Sequence, residues 1–304
     1  MLATWEQGTA APGQADMMAA FSSRGPTDDL RIKPDVVAPG TNILSVRSSA
    51  HANPYAQMIL GGDLAASHPL HRLYCWSSGT SMATPLVAGA AALVRQYLVQ
   101  ERGHILGGSK PSGALLKALI VNGAVPLVGQ FAGDVPPGPN RVAGFGRVNV
   151  REALGLDGAA PVVFSDESDL AVESGETRTV ELEAVDPGRP LKVTLVWTDA
   201  PSLVNQGGLQ NALYLQVRDP SGAVLDGDVT PYPTATNNVQ QVMIPAPVAG
   251  TYEVRVRGVS VIAALPGTSP DETPRQDFAL AASNARAGTG DLTALSDRSL
   301  RETG

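Results

Sequence analysis

The hydrophobic pattern of this chain changes its period once. Before about residue 157 the apolar positions follow helical spacing or form short buried runs, and from Pro161 onward they alternate. The clearest element follows Ser81. Leu86, Ala90, Leu93 and Tyr97 keep helical spacing, while Val87, Ala88, Gly89, Ala91, Ala92, Val94 and Leu98 fill the other faces. A helix that is apolar nearly all round until Arg95 predicts a central, buried element. Gly89 in its interior costs up to about 1 kcal/mol against alanine, which predicts a close neighbour at that point. Pro85 falls within about the first turn, where a missing N–H does least harm. A second helix is predicted from Ser112 to Val121, with Ser112 as N-cap, Leu115, Leu116, Leu119 and Ile120 on its apolar side, and a stop at Asn122-Gly123.

Upstream of both helices, residues 1 to about 20 read as loop. The run Asp35–Ala38, bounded by prolines, predicts a buried strand, and Asn42–Val46 predicts a second. Arg47–Trp76 reads as a long loop insertion bearing His51, His68 and His71. After Pro161 the alternating sets are Val180, Leu182 and Ala184; Leu191, Val193, Leu195 and Trp197; Leu213, Leu215 and Val217; Tyr252, Val254 and Val256; then Phe278 and Leu280. Turn signals at Asp186-Pro187-Gly188, Asp219-Pro220-Ser221-Gly222, Asn237-Asn238 and Ala249-Gly250 separate them. Many short strands with turns between them predict an antiparallel β-sandwich or jelly roll. The predicted organisation is therefore α/β over 1–157, a β-sandwich over 158–285, and a polar, disordered tail over 286–304.

Composition narrows the function. In 304 residues, 43% hydrophobic and 17% charged positions describe a folded protein of about two domains. The net charge of −7 and the absence of any lysine or arginine run argue against nucleic acid and anionic membrane surfaces as partners. Cys75 is the single cysteine, so no internal disulfide forms, and its expected role is that of a small buried hydrophobe. Met1-Leu2-Ala3-Thr4-Trp5-Glu6-Gln7-Gly8 has neither the basic nor the apolar region of a signal peptide.

The candidate chemistry lies at the junction Ser77-Ser78-Gly79-Thr80-Ser81, just before the first helix. Unpaired N–H groups and the helix dipole favour negative charge there, which suits a nucleophile and its oxyanion donors. Capping is the commoner use of a serine or threonine in that position, and the junction alone does not separate the two.

The neighbouring blocks do. Ser78-Gly79-Thr80-Ser81-Met82-Ala83-Thr84-Pro85 with Val87-Ala88-Gly89 resembles the nucleophile motif of the subtilases, the subtilisin-like serine proteases. Phe21-Ser22-Ser23-Arg24-Gly25-Pro26 and Lys33-Pro34-Asp35-Val36-Val37-Ala38-Pro39-Gly40 resemble the segment before that motif, and Gly144-Phe145-Gly146-Arg147-Val148-Asn149 the segment that closes the catalytic domain. Trp197-Thr198-Asp199-Ala200-Pro201 and Ala249-Gly250-Thr251-Tyr252 resemble the C-terminal jelly-roll domain of the bacterial, oxidatively stable alkaline branch.

The resemblance implies the C-terminal part of a subtilisin-like parallel-sheet fold followed by the jelly roll. It also implies a Ser-His-Asp endopeptidase acting on protein or peptide substrates outside the cell. Ser81 would be the nucleophile and a backbone oxyanion donor, Thr80 an accessory to the oxyanion region, and Gly79 a substrate-binding position. Structural calcium remains open as a cofactor on family grounds. Asp199 and Asp226-Gly227-Asp228 offer oxygens in turns, but no spaced calcium loop is present, and Asn211-Ala212-Leu213-Tyr214-Leu215 replaces the acidic run of related domains. No metal site is assigned.

The family's aspartate block, its His-Gly-Thr-His block and its oxyanion-asparagine block are absent from the chain. By motif order they belong ahead of Met1. His51, His68 and His71 lie in the insertion and His104 follows the serine, none in the context of the catalytic histidine. In subtilisin itself, loss of the base or the nucleophile costs about a million-fold in turnover. The expectation is an inactive fragment of a serine endopeptidase. The alternative is a pseudo-protease or a binding module whose function lies in the β-sandwich. An α/β-hydrolase needs an acid and then a histidine after the serine, and His104 stands before any plausible acid-bearing strand. A Ser-Lys mechanism needs lysine where Thr84 stands.

Overall fold

A computed structural model describes residues 17–47, 67–69, 73–100, 110–127, 135, 138–166, 170–202, 208–228, 234–263 and 273–288. By its internal contacts the chain divides into two units. One comprises Met1–Pro26, Ile32–Ala90 and Val125–Val148; the other comprises Thr27–Arg31, Ala91–Ala124 and Asn149–Gly304. The architecture is mixed α/β with several antiparallel sheets.

In the first unit, β1 (Ile43–Val46) and β2 (Tyr74–Ser77) form an antiparallel hairpin. The expected strand at Asp35–Ala38 is reduced to a single parallel bridge, Val37 with Arg147, and no parallel sheet forms among the described residues. That bridge closes through Val37 N–H to Gly146 O at 2.9 Å and Val148 N–H to Val37 O at 2.9 Å. It joins two blocks that sequence order keeps a hundred residues apart. A Cβ on Gly144 would lie 2.1 Å from the Pro34 carbonyl oxygen, and its φ is 63°. Only glycine satisfies both demands.

Helix α1 (Thr80–Gln100) is present, but not in the expected environment. Its buried residues, Ala83, Ala90, Val94 and Leu98, form one stripe, while Leu86 and Leu93 are exposed. Nothing lies within 4 Å of a Cβ built on Gly89, so the close neighbour expected there is not found. The all-round apolar sequence describes what the helix can bury, and the structure covers only one face of it.

In the second unit, helix α2 (Gly113–Asn122) begins as the sequence predicts, with Ser112 Oγ accepting from Leu115 N–H at 2.9 Å. A short helix, α3 (Val150–Leu154), follows. The strands are β3 (Val162–Ser165), β4 (Ala171–Val172), β5 (Thr177–Ala184), β6 (Leu191–Val196), β7 (Asn211–Arg218), β8 (Val224–Asp226), β9 (Val239–Ile244), β10 (Thr251–Val261), β11 (Gln276–Asp277), β12 (Ala279–Ser283) and β13 (Ala285–Ala287). They form a five-stranded sheet in the order β13-β5-β10-β7-β8 and a four-stranded sheet in the order β3-β12-β6-β9. All ladders within both sheets are antiparallel. Leu191, Val193 and Leu195 of one sheet share a core with Leu213, Leu215, Val217, Val254 and Val256 of the other, so the alternation read from the sequence is the inward face of both sheets. β13 carries order into the segment expected to be tail, pairing with β5, and Gly288 N–H reaches Glu181 O. The rest of that tail lies outside the described residues.

The outer face of the four-stranded sheet departs from simple alternation. Thr194, Gln241 and Ala281 are buried there although they point away from the inter-sheet core. Helix α2 covers them, packing against β3, β6 and β12.

Candidate active site

Strand β2 delivers the chain to the candidate site. Its last residue, Ser77, pairs with Ile43, and the turn that follows is fastened twice. Gly79 N–H donates to Gly40 O at 2.7 Å, and Asn42 N–H donates to Ser78 Oγ at 2.8 Å. Gly79 takes φ 156°, a conformation that residues with side chains rarely adopt. Helix α1 then starts at Thr80, with Met82 N–H bonded to Gly79 O at 3.0 Å.

Ser81 therefore stands in the first turn of a 21-residue helix, and its side chain is exposed. An α-helix leaves its first four amides without intrahelical partners, and the amides of Thr80 and Ser81 fall in that group. Pro85 has no N–H to return to the Ser81 carbonyl, which loosens the ladder at this residue. Thr80 is half-buried, and its carbonyl accepts from Thr84 Oγ1 at 2.9 Å. Gly79, Thr80 and Ser81 thus lie at a helix start, whose free amides and dipole favour a negative charge.

Among the described residues no group that could activate the serine is bonded to it: nothing is hydrogen-bonded to Ser81 Oγ. His68 is exposed, and His51, His71 and His104 lie outside the described residues. Cys75 is half-buried on β2, opposite Ser45. The acidic residues weighed as calcium ligands are anchors of their own loops. Asp199 accepts from the amides of Gln210 and Asn211, Asp226 from Gln216 Nε2, and Asp228 from Thr236 and Asn237. Burial raises the Asp199 carboxyl above its ordinary value, and those amide bonds oppose the rise. Among the described residues no group of three or more His, Cys, Asp or Glu is placed to hold a metal ion.

Two residues that sequence reading passed over matter to this geometry. Ser78 and Asn42 hold the turn ahead of the nucleophile position, and Asn42 has φ 50°. A polar residue directly before Gly79 was the available signal, and it is too common to single out without the partner.

The family model for the subtilase family matches residues 9–146. This span includes the Phe21–Pro26, Lys33–Gly40 and Ser78–Pro85 blocks and ends at Gly146. Over residues 9–146 the chain is thus similar to the subtilase family. Similarity to one relative extends beyond that segment. A serine protease/ABC transporter B family protein of Dictyostelium discoideum, tagD, is 42% identical over 154 residues, 45% of this chain and 8% of that protein. Its relative tagB is 29% identical over 299 residues, 80% of this chain and 15% of that protein. The serine protease AprX of Bacillus subtilis is 45% identical over 86 residues, 28% of this chain and 18% of that protein. The chain thus spans less than a fifth of the length of these relatives. Among solved structures, a Bacillus licheniformis lipase aligns over 52% of this chain and 31% of its own at 11% identity, with a TM-score of 0.24. That likeness carries no argument.

Proposed function

We propose that Ser81 is the nucleophile of a subtilisin-type endopeptidase acting on protein or peptide substrates outside the cell. The observation that carries this reading is the exposed Ser81 side chain in the first turn of α1, within the subtilase segment. In the reaction Ser81 Oγ attacks the scissile carbonyl carbon and its proton passes to a general base. That base returns the proton to the leaving amine, and water then releases the acyl group from Ser81. The amide of Ser81 meets the oxyanion, with Thr80 beside it and Gly79 lining the substrate strand.

The base, the carboxylate that orients it and the second oxyanion donor come from blocks that this chain does not carry, so the 304 residues alone do not turn over substrate. On this reading residues 1–157 are the C-terminal part of a parallel-sheet peptidase domain and 158–285 a jelly roll. The rival reading, a pseudo-protease, draws on the same observation that no described residue is bonded to Ser81 Oγ. Labelling with a fluorophosphonate separates them. The expected result is no labelling of the 304-residue chain, and labelling lost on Ser81→Ala when the chain is extended by a subtilase Asp and His-Gly-Thr-His segment. An extended, folded chain that stays unlabelled sinks the endopeptidase reading. Labelling of the short chain sinks the claim of inactivity.

A further inference from the structure

Helix α2 lies inside the subtilase segment by sequence, yet every partner described below lies beyond residue 146. It has ten residues, too few for a helix to stand alone in water, so its stability comes from what it packs against. Ala114, Leu115, Ala118, Leu119, Ile120 and Val121 are buried, and the strands they face are β3, β6 and β12 of the four-stranded sheet.

Polar groups of the β part hold both ends of the helix. At the start, Ser112 N–H donates to Asp166 Oδ2 at 3.0 Å. At the end, Lys192 Nζ donates to the carbonyls of Asn122 and Ala124, at 3.0 and 2.8 Å. The Asn122 carbonyl is one of the orphans that a helix C-terminus leaves, and a cation is its favoured partner. Between them Asn122 enters the sheet. Its Nδ2 reaches Thr194 Oγ1 and Ala281 O, both at 3.0 Å, and Lys192 O at 3.2 Å. Gln241 Nε2 meets the same Thr194 Oγ1 at 2.9 Å. Asn122 and Thr194 are fully buried, so these groups are costly unless paired; Asn122 Nδ2 and Thr194 Oγ1 find their partners in this register of helix on sheet, while Asn122 Oδ1 is left without one.

We propose that the outer face of the four-stranded sheet is the seat of helix α2, and that holding this helix is the function of that face. The β part is then a structural member of the peptidase segment, and the end of the subtilase match at residue 146 is not a boundary of folding. The face is also withdrawn from the surfaces open to a ligand.

Native-state hydrogen exchange on the intact 304-residue chain, followed through increasing denaturant, tests this without any substitution. The expected result is that amides of α2 from Leu116 to Val121 open in the same transition as those of β6 and β12. Asn122→Ala then lowers protection in α2, β6 and β12 by one common factor, about 10- to 100-fold for a buried hydrogen-bonded group. Opening of α2 at lower denaturant than the sheet overturns the proposal. So does an Asn122→Ala effect confined to the helix.

Discussion

The amide of Asn42 donates to Ser78 Oγ at 2.8 Å, three residues ahead of Ser81. This bond and the one from Gly79 N–H to Gly40 O fix the turn from which α1 starts. On the proposed reading Ser78 does not touch the reacting atoms; it positions Ser81, which does. Ser78→Ala removes the acceptor and leaves the Asn42 amide to find another. In an extended chain that labels with fluorophosphonate, this substitution is expected to slow labelling about tenfold or more while moving the thermal midpoint by only a few degrees. Ser78→Thr, which restores a hydroxyl, should recover most of the rate. Equal labelling rates for Ser78→Ala and the parent would show that the clasp does not set the serine.

Helix α1 offers a sharper test of what is buried. Leu98 is fully buried, and Leu93, five residues earlier, is 56% exposed. Leu98→Ala is expected to cost about 2–5 kcal/mol in urea unfolding, and Leu93→Gln to stay within about 0.5 kcal/mol. Comparable losses from both substitutions would show that the helix is covered on both faces in solution.

That contrast marks where the sequence was legible. Helix α2 was readable from its cap, its Asn122-Gly123 stop and most of its apolar side, all local signals, although Leu116 is only half-buried. Strands β5, β6, β7 and β10 were readable from alternation, because two sheets facing one core impose period two on both. Strand β9 was missed: Gln240 takes an inward position, bonded to Leu213 and Leu215, and Gln241 the face that α2 covers, so Val239–Ile244 shows no clean alternation. The environment of α1 was misread because apolarity states what a helix can bury and cannot state whether a neighbour is present. At the site, Gly79, Thr80 and Ser81 were legible as a motif, whereas Ser78 and Asn42 depend on a contact across 36 residues.

The approach of α2 to α3 gives a steric prediction. A Cβ on Gly123 would lie 2.3 Å from Ala153 N and 2.4 Å from its Cα. Gly123 has φ −78°, so alanine suffers no backbone strain there and the clash is the whole effect. Both neighbours are backbone atoms and cannot swing away. Gly123→Ala should therefore destabilise the chain by about 1–3 kcal/mol, although the same change at an unobstructed helix end is close to neutral. Gly113, where a Cβ meets nothing within 4 Å, is the control, and Gly113→Ala should be neutral or slightly stabilising. Equal effects at the two positions would remove the steric explanation.

Lys192 makes the stability of the second unit depend on alkaline pH in a direction that can be worked out. Burial holds its ammonium below the ordinary value of 10.5, and the charge of Glu152 opposes that fall without cancelling it. Between the folded value and 10.5 the unfolded chain binds more protons than the folded one, so stability rises with pH through that window. Below the folded value both states are charged and the slope from this group vanishes. The ammonium nevertheless holds the carbonyls of Asn122 and Ala124, and Lys192→Met strands both. Two effects should separate in urea unfolding of the parent and Lys192→Met at a series of pH values. At neutral pH the variant should be weaker by about 1–3 kcal/mol, the cost of unpaired buried carbonyls. Above neutral pH the gap should widen, because only the parent gains stability as the lysine sheds its proton. A gap that narrows toward pH 10 would mean that the folded state prefers the charged lysine, and would reverse the sign assigned to its burial.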